Sequence, residues 1–229
     1  MVGTMPAAAA GGVTKTTTAV SLAMVAAAER RQVVLIDLDP RAASSKWFGV
    51  EPTAEGMHVG AILGDENPEG WAEDLAVPSG WHPNLRVIPS ARNVSNREAD
   101  RADHAELPLL VSLTGLQADV MVIDCPNRQG GPLTLSALNA ADTVVYAATA
   151  TSDGIDAGGR GPAPVAQFRR HRQQLGAPDT LTEAGIVVGG VKETIMSRAA
   201  VAGLEELRAT GLFLEPLVPD RAIVQEVRI

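Results

Sequence analysis

One cysteine, Cys125, stands in a chain of 229 residues. That scarcity excludes a disulfide framework, a cysteine-rich zinc site and a cluster held by several thiolates of one chain. Aromatic residues make up 3%, so the core must be assembled from Ala, Val, Leu and Ile. No run of about 18 apolar residues occurs, and no transmembrane helix is expected. The opening MVGTMPAAAA lacks the basic start of a signal peptide, which makes a reducing cytoplasm the expected location. The histidines His58, His82, His104 and His171 show no metal-ligand spacing. Basic residues are also short: 19 Lys and Arg stand against 27 Asp and Glu, a net charge of −8. Any contact with nucleic acid must come from a local basic patch working against the overall field. What remains is 45% hydrophobic and 20% charged, a composition that folds. The length suits one α/β domain over residues 1–229, with little room for a second.

Short β-branched runs alternate with helical patterns. Val33–Asp37 ends in an acid, and Val120–Asp124 repeats that form. Thr143–Ala147, Gly185–Val188 and the weaker Leu85–Pro89 are further runs. Continuous apolar stretches of this length suit strands buried on both faces of a parallel sheet. Helical patterns cover Thr16–Arg30, Pro132–Ala140, Pro164–Gln174 and Arg198–Thr210. The alternation predicts a doubly wound α/β fold, a mostly parallel sheet with helices on both faces. Gly49–Trp81 reads as helix and loop at the sheet edge. The first strand is the weak point, because Met1–Ala10 holds Pro6 and four alanines, and proline prefers edges or strand starts.

Gly11-Gly12-Val13-Thr14-Lys15-Thr16-Thr17 lies between that segment and the first helix. Small residues let backbone N–H groups turn inward around phosphate oxygens. The helix that follows adds its N-terminal donors and dipole. Lys15 can reach β and γ phosphates, Thr16 can ligate Mg²⁺, and Thr17 can bond an α-phosphate oxygen. The strict G-x-x-x-x-G-K-[ST] pattern is not met, since Ala9 and Thr14 replace its glycines. Taken alone, the segment also reads as a Gly-Gly turn into a Thr-capped helix.

Asp37-Leu38-Asp39-Pro40 follows a buried strand, 22 and 24 positions after Lys15. Ligands of open α/β sheets bind at the carboxyl ends of strands. Alternation puts Asp37 and Asp39 on one side. Two acids there suit Mg²⁺ or an attacking water better than bare phosphates. Asp124 also ends a buried strand and suits the magnesium-side acid of a phosphate-loop enzyme. Each aspartate alone can equally be a helix N-cap. Three together with a GGxxKTT loop are a less ordinary coincidence.

These segments resemble the ParA/MinD family of deviant Walker-type ATPases, and most closely its ParA (Soj-like) plasmid and chromosome partition proteins. The matching pieces are GGVTKTTTAVSLA, VVLIDLDPRAASSKWFGV, NLRVIPSARN, ADVMVIDCPNRQGGPLTLSALNAADTVV and LEELRATGLFLEPLVPDRAIVQE, in family order along nearly the whole chain. The resemblance implies a P-loop NTPase fold of the deviant Walker A type. It implies ATP or ADP with Mg²⁺ as cofactors and slow hydrolysis stimulated by a ParB-type partner. It further implies an ATP-bound homodimer that binds DNA non-specifically, leaves higher-order assembly open, and sits in the cytoplasm on the nucleoid, away from membranes. By the same resemblance Lys15 holds phosphate, and Gly11, Gly12, Val13, Thr14, Thr16 and Thr17 form the cradle. Thr16, Asp37 and Asp124 serve the metal, Asp39 positions water, and Pro219 and Arg221 border the nucleotide.

Four departures bear on hydrolysis and on nucleotide-driven dimerisation. The family's signature lysine, which reaches the partner's nucleotide, is Ala10 here. The glycine before the phosphate lysine is Thr14, a poor residue wherever the backbone needs positive φ. The usual second proline after the magnesium-side acid is Asn127. The family's Pro-Arg near the C-terminus is Pro219-Asp220, leaving Arg221 to substitute. They keep open a degenerate nucleotide-binding module that acts through protein assembly.

Phe168-Arg169-Arg170-His171-Arg172 is the most basic segment, with no acid from Ala157 to Pro178. Arg169, Arg170, Arg172 and Arg198 are candidate DNA contacts, with Arg208 nearby; a solvated helix face reads equally well. Cys125 reads as a small buried residue and Trp47 as packing. A membrane-positioning relative needs a bulky amphipathic C-terminal helix, which the short, non-aromatic tail from Arg221 to Ile229 does not supply. An iron–sulfur reductase of the superfamily needs two suitable cysteines.

Overall fold

Alternation along the strands sorts the core into two layers. Val33 and Leu35 pack on one face of the sheet, and Val34 and Ile36 on the other. All of Val33–Asp37 is buried, as expected of an interior parallel strand. The computed structural model describes residues 2–6, 14–99, 104–127, 130–149, 163–191, 198–209 and 211–219.

Eight strands form one sheet. They are β1 (Val2–Pro6), β2 (Val33–Asp37), β3 (Val77–Pro78), β4 (Leu85–Ile88), β5 (Val120–Asp124), β6 (Thr143–Thr149), β7 (Thr182–Val191) and β8 (Phe213–Pro219). Their spatial order is β3-β4-β2-β5-β1-β6-β7-β8. Every pairing is parallel except β3 with β4. The chain moves outward through β2 and β4, returns to β5, then runs outward on the opposite side through β6, β7 and β8. That reversal beside β1 is where ligands of doubly wound sheets bind.

The helices are α1 (Lys15–Ala28), α2 (Ala43–Trp47), α3 (Val59–Ile62), α4 (Trp71–Leu75), α5 (Pro108–Ser112), α6 (Pro132–Ala140), α7 (Ala163–Gln174) and α8 (Arg198–Ala209). A 3-10 helix covers Arg92–Ala99. Helix α1 buries Ala19, Val20, Ala23 and Ala27 against Val33, Leu35, Leu85, Val87 and Val122. Four small or branched residues at helical spacing let the helix lie close on the sheet. The other face carries the larger core, in which Leu133, Ala137 and Leu138 of α6 and Val165 and Phe168 of α7 join Val34, Ile36, Ile88 and Ile123. Helices therefore cover both faces, as the alternation predicts.

The weak first segment does form a strand: β1 lies at the centre, between β5 and β6. Pro6 is its last residue, opposite Ala147, and pairing with β5 ends at Thr4, so the missing N–H falls at the end of the ladder. The 49–81 stretch carries helix and loop as expected, but it also ends in β3, a two-residue antiparallel edge strand closed by Pro78. Strand β8 has no counterpart in the runs read from sequence. Among the described residues no helix is long and apolar enough to cross a membrane.

Candidate functional site

Register sets the site. β2 and β5 are parallel neighbours, and Asp37 stands opposite Asp124. Side chains in register on adjacent strands project from the same face, so the two carboxylates meet. Both are fully buried. After β2 the chain turns at Ala42, which adopts a left-handed φ of 53° and donates its N–H to the Asp39 carbonyl at 2.8 Å. That turn swings α2 back over the strand ends. Ser45 then donates to Asp37 Oδ2 from both its backbone N (2.9 Å) and its Oγ (2.7 Å). Ser44 Oγ donates to Asp124 Oδ2 at 2.7 Å. Asp39 N donates to Asp37 Oδ1 at 3.1 Å, and Asp39 Oδ1 accepts from Arg41 N at 2.9 Å.

Burial dominates the electrostatics. Desolvation, followed by the charge of Asp124, raises the Asp37 pKa above the ordinary carboxylate range. Asp124 is also raised by desolvation, with hydrogen bonds from Ser44 and Thr16 and the charge of Lys15 pulling the other way. Lys15 is only 5% exposed and turns inward, its Nζ donating to Asn127 Oδ1 at 3.2 Å. Burial lowers its pKa, while Asp124 and Asp39 oppose that shift. The Cys125 thiol is buried and pushed up by desolvation, the opposite of an activated nucleophile.

A cation and a polyanion would complete this pocket. Asp124 Oδ1 and Thr17 Oγ1 are buried without a hydrogen-bond partner among the described residues. Such atoms are costly unless something satisfies them. Helix α1 has no side-chain cap at its start and no acid in its first turn, leaving its N-terminal donors for an anion. Among the described residues no three His, Cys, Asp or Glu could hold a metal by themselves. One or two carboxylates sharing a metal with phosphate oxygens is the pattern Mg²⁺ accepts. The donor set fits magnesium and a nucleotide phosphate.

The structure brings Lys15, Thr16, Asp37, Asp39 and Asp124 together. Gly11, Gly12, Val13, Ala10 and Arg221 lie outside the described residues. Pro219 ends β8 at the carboxyl edge, opposite Val191 of β7. Thr14 does not take the positive φ that would call for glycine: its φ is −72°. Its side chain packs onto β7, and a Cβ on Gly189 would collide with it. Glycine at 189 makes the room that threonine at 14 uses. Sequence reasoning missed Ser44 and Ser45, which carry no spacing signal, and it noted Asn127 only as a lost proline.

The basic segment is not one anionic-ligand face. Arg169 forms ion pairs with Asp179 (2.9 Å) and Glu183 and donates to the Leu181 carbonyl at 2.7 Å. Both acids come from beyond the helix and offset its charge. Arg172 donates to the Pro178 carbonyl (2.9 Å) and lies over the Phe168 ring at 5.6 Å. Arg170 and Arg198 are exposed. Arg208 pairs with Glu215 at 3.3 Å and sits over Phe213.

A doubly wound sheet with a phosphate-loop helix and paired strand-end acids defines a nucleotide-binding class of α/β proteins. A family model described as an AAA domain matches residues 7–156. The chain belongs to that family and, on its motifs and relatives, to the ParA/MinD branch. It is 34% identical over 143 residues to the chromosome partitioning protein ParA of Myxococcus xanthus, covering 59% of this chain and 47% of that protein. This chain thus spans about half the length of such curated relatives, or less. The ATP complex of a Cyanothece McdA variant shares the fold at a TM-score of 0.80 and 21% identity, over 99% of this chain and 86% of that one. Cobyrinic acid a,c-diamide synthase from Mycobacterium smegmatis, with a bound ATP analogue and magnesium, matches at 0.77 and 25%, over 96% and 86%.

Proposed function

We propose that this chain is a ParA-like partition ATPase that binds ATP with Mg²⁺, dimerises, holds DNA non-specifically and answers to a ParB-type partner. A single observation carries the reading: a buried lysine faces strand-end acids, and Asp124 Oδ1 and Thr17 Oγ1 beside it have no partner among the described residues. The fold alone does not choose a function, since a partition protein and a synthase share it. The 34% identity to a ParA protein across the motif-bearing part tips the choice.

Bound Mg²⁺ and ATP would supply a polarised γ-phosphoryl group. The chain's own residues then position and neutralise. Lys15 holds phosphate charge with its ammonium, and Asn127 and the nearby acids fix its direction. Thr16 and Asp124 hold the metal side, with Ser44 fixing one carboxylate oxygen. Asp39 orients water, its carboxylate pinned by the Arg41 amide. Asp37 is braced by Ser45 and shapes the field at Asp124. Residues 1–229 act as one unit in this reading, in the cytoplasm and on the nucleoid. Exposed Arg170 and Arg198 fit a DNA contact better than Arg169 does.

The test is DNA retardation with ATP and with ADP, at low and high salt, alongside phosphate release. Salt-sensitive retardation that needs ATP, lost together with turnover in Lys15→Ala by about 100-fold or more, is the expected result. Turnover and dimerisation untouched by Lys15→Ala would sink the reading. Ala10 favours the second reading, an assembly module with little or no hydrolysis. Thr14 supports it less, because its φ is negative and does not demand glycine.

A further inference from the structure

A cleft of about 590 Å³ opens beside the Asp39–Ala42 turn, lined by its Pro40, Arg41 and Ala42. Arg41, Lys46 and Arg92 line it, with Ser90 and Ser95, and among the described residues no acid does. In a chain carrying net charge −8, three cations around one hollow are a departure from the average surface. None of the three forms an ion pair with a carboxylate among the described residues. The lining Ser90 is 4% exposed, and its Oγ has no hydrogen-bond partner among the described residues. A buried hydroxyl without a partner costs free energy that a ligand oxygen would return.

We propose that this cleft is a second anion site that binds a terminal phosphate group carried by a small ligand. A dianionic phosphate brings oxygens for several donors at once, which suits three cations and one hydroxyl better than a single carboxylate does. A concave site with a buried hydroxyl in its lining admits a terminal phosphate end-on. A duplex backbone presents its phosphates along an extended line and would engage only the rim.

The site is wired to the strand-end acids. Ser90 N donates to Ser45 Oγ at 3.1 Å, and that Oγ donates to Asp37. Arg41 N donates to Asp39 Oδ1, and the Arg41 carbonyl accepts from Lys46 Nζ at 3.0 Å. An anion drawn onto Arg41 and Ser90 pulls on the turn that holds Asp39 and on the serine that braces Asp37. Occupancy of the cleft therefore tunes the acids without touching them. The site stands on its own residues and does not require a nucleotide at Lys15.

Titration of the full chain with inorganic pyrophosphate, followed by backbone amide NMR, tests this. Amides of Ala91, Arg92 and Ser95 should shift with a midpoint of their own, distinct from any shift at Thr16 and Thr17. Arg92→Glu should raise the midpoint of the first group at least tenfold and leave the second group unchanged. Lys46→Ala, at an exposed position, should raise it by a smaller factor, and added salt should weaken binding in each protein. ADP in place of pyrophosphate separates a nucleotide source from a free phosphate source by its affinity for the same three amides. Silence at residues 91–95, or indifference to both substitutions, overturns the proposal. So does a single midpoint shared with Thr16 and Thr17, or a DNA duplex that shifts these amides where pyrophosphate does not. Failure of the nucleotide reading would show instead as silence at Thr16 and Thr17.

Discussion

Among the described residues the sheet carries two acid clusters, one on each side of β1, and they are built on opposite principles. On the β7 side Glu183 is closed off: Tyr146 Oη donates to it at 2.6 Å, and Arg169 pairs with it while also holding Asp179 and the Leu181 carbonyl. Charge is matched by charge, and burial together with the hydrogen bond to Glu183 raises the Tyr146 pKa. On the β2–β5 side Asp37 and Asp124 are held by serine and threonine hydroxyls and amides, while the buried Lys15 directs its Nζ to Asn127. Hydroxyls orient a carboxylate without neutralising it. The first cluster is thus complete as it stands, whereas the second leaves Asp124 Oδ1 without a partner among the described residues, the atom that the proposed metal would satisfy.

The sharpest way to break this contrast is Asp124→Asn. An amide keeps the shape and can still accept from Ser44, but it has lost the charge for a metal. Magnesium-dependent ATP turnover should fall by about 100-fold or more, with the melting temperature of the ligand-free protein unchanged or higher. A variant that melts much lower and turns over normally would make the acid structural.

Arg169→Ala should do the reverse. It leaves Glu183 and Asp179 without their cation, and a cost of about 1–2 kcal/mol is expected after allowance for the partial exposure of the pair. Urea melts would read it as a lower midpoint at unchanged slope. DNA retardation should change little, because this charge is already spent on two acids. Arg170→Ala should weaken retardation while leaving stability alone.

Asp37→Asn tests the acid side at smaller amplitude, through pH. The Asp37 pKa is raised in the folded state, so folding favours the protonated acid. Its contribution is fully present below the unfolded carboxylate pKa of about 4 and is lost as pH rises through neutrality. The metal-free variant should therefore be more stable than the parent at pH 8, by about 1–2 kcal/mol, and equal to it near pH 4. Thermal melts across that range decide it; a gap that widens toward acid would refute the raised pKa.

How much of this was legible without coordinates follows the range of the interactions. Asp37 and Asp124 could be found because each ends an apolar run, a pattern contained in five residues. Their pairing needed only the parallel order of β2 and β5. Ser44 and Ser45 were out of reach, because their contacts depend on a left-handed φ at Ala42, where no glycine or asparagine announces it. Strand β8 was hidden by Glu215 and Pro216 inside FLEPLVP, and β1 by Pro6. Arg169 read as a free cation because the acids that hold it come after its helix ends.

The smallest effect concerns the shell around the acid side. His58 caps the four-residue α3, accepting from Gly60 N at Nδ1 (3.0 Å), while Val59 N donates to the Pro89 carbonyl where β4 ends. The acceptor must be neutral, and burial followed by the charge of Arg97 lowers the His58 pKa. Its contribution is therefore present above the unfolded value of about 6.5 and is lost as pH falls through the lower folded value. His58→Ala should cost about 1 kcal/mol at pH 7.5, and the gap to the parent should close in acid. That slope is opposite in sign to the one expected from Asp37→Asn, so the two variants, melted in one buffer series, separate a helix cap from a strained carboxylate. Parallel slopes would mean that the acid side of the sheet responds to pH as a single network, and that the contrast with the closed Glu183 cluster lies in composition alone.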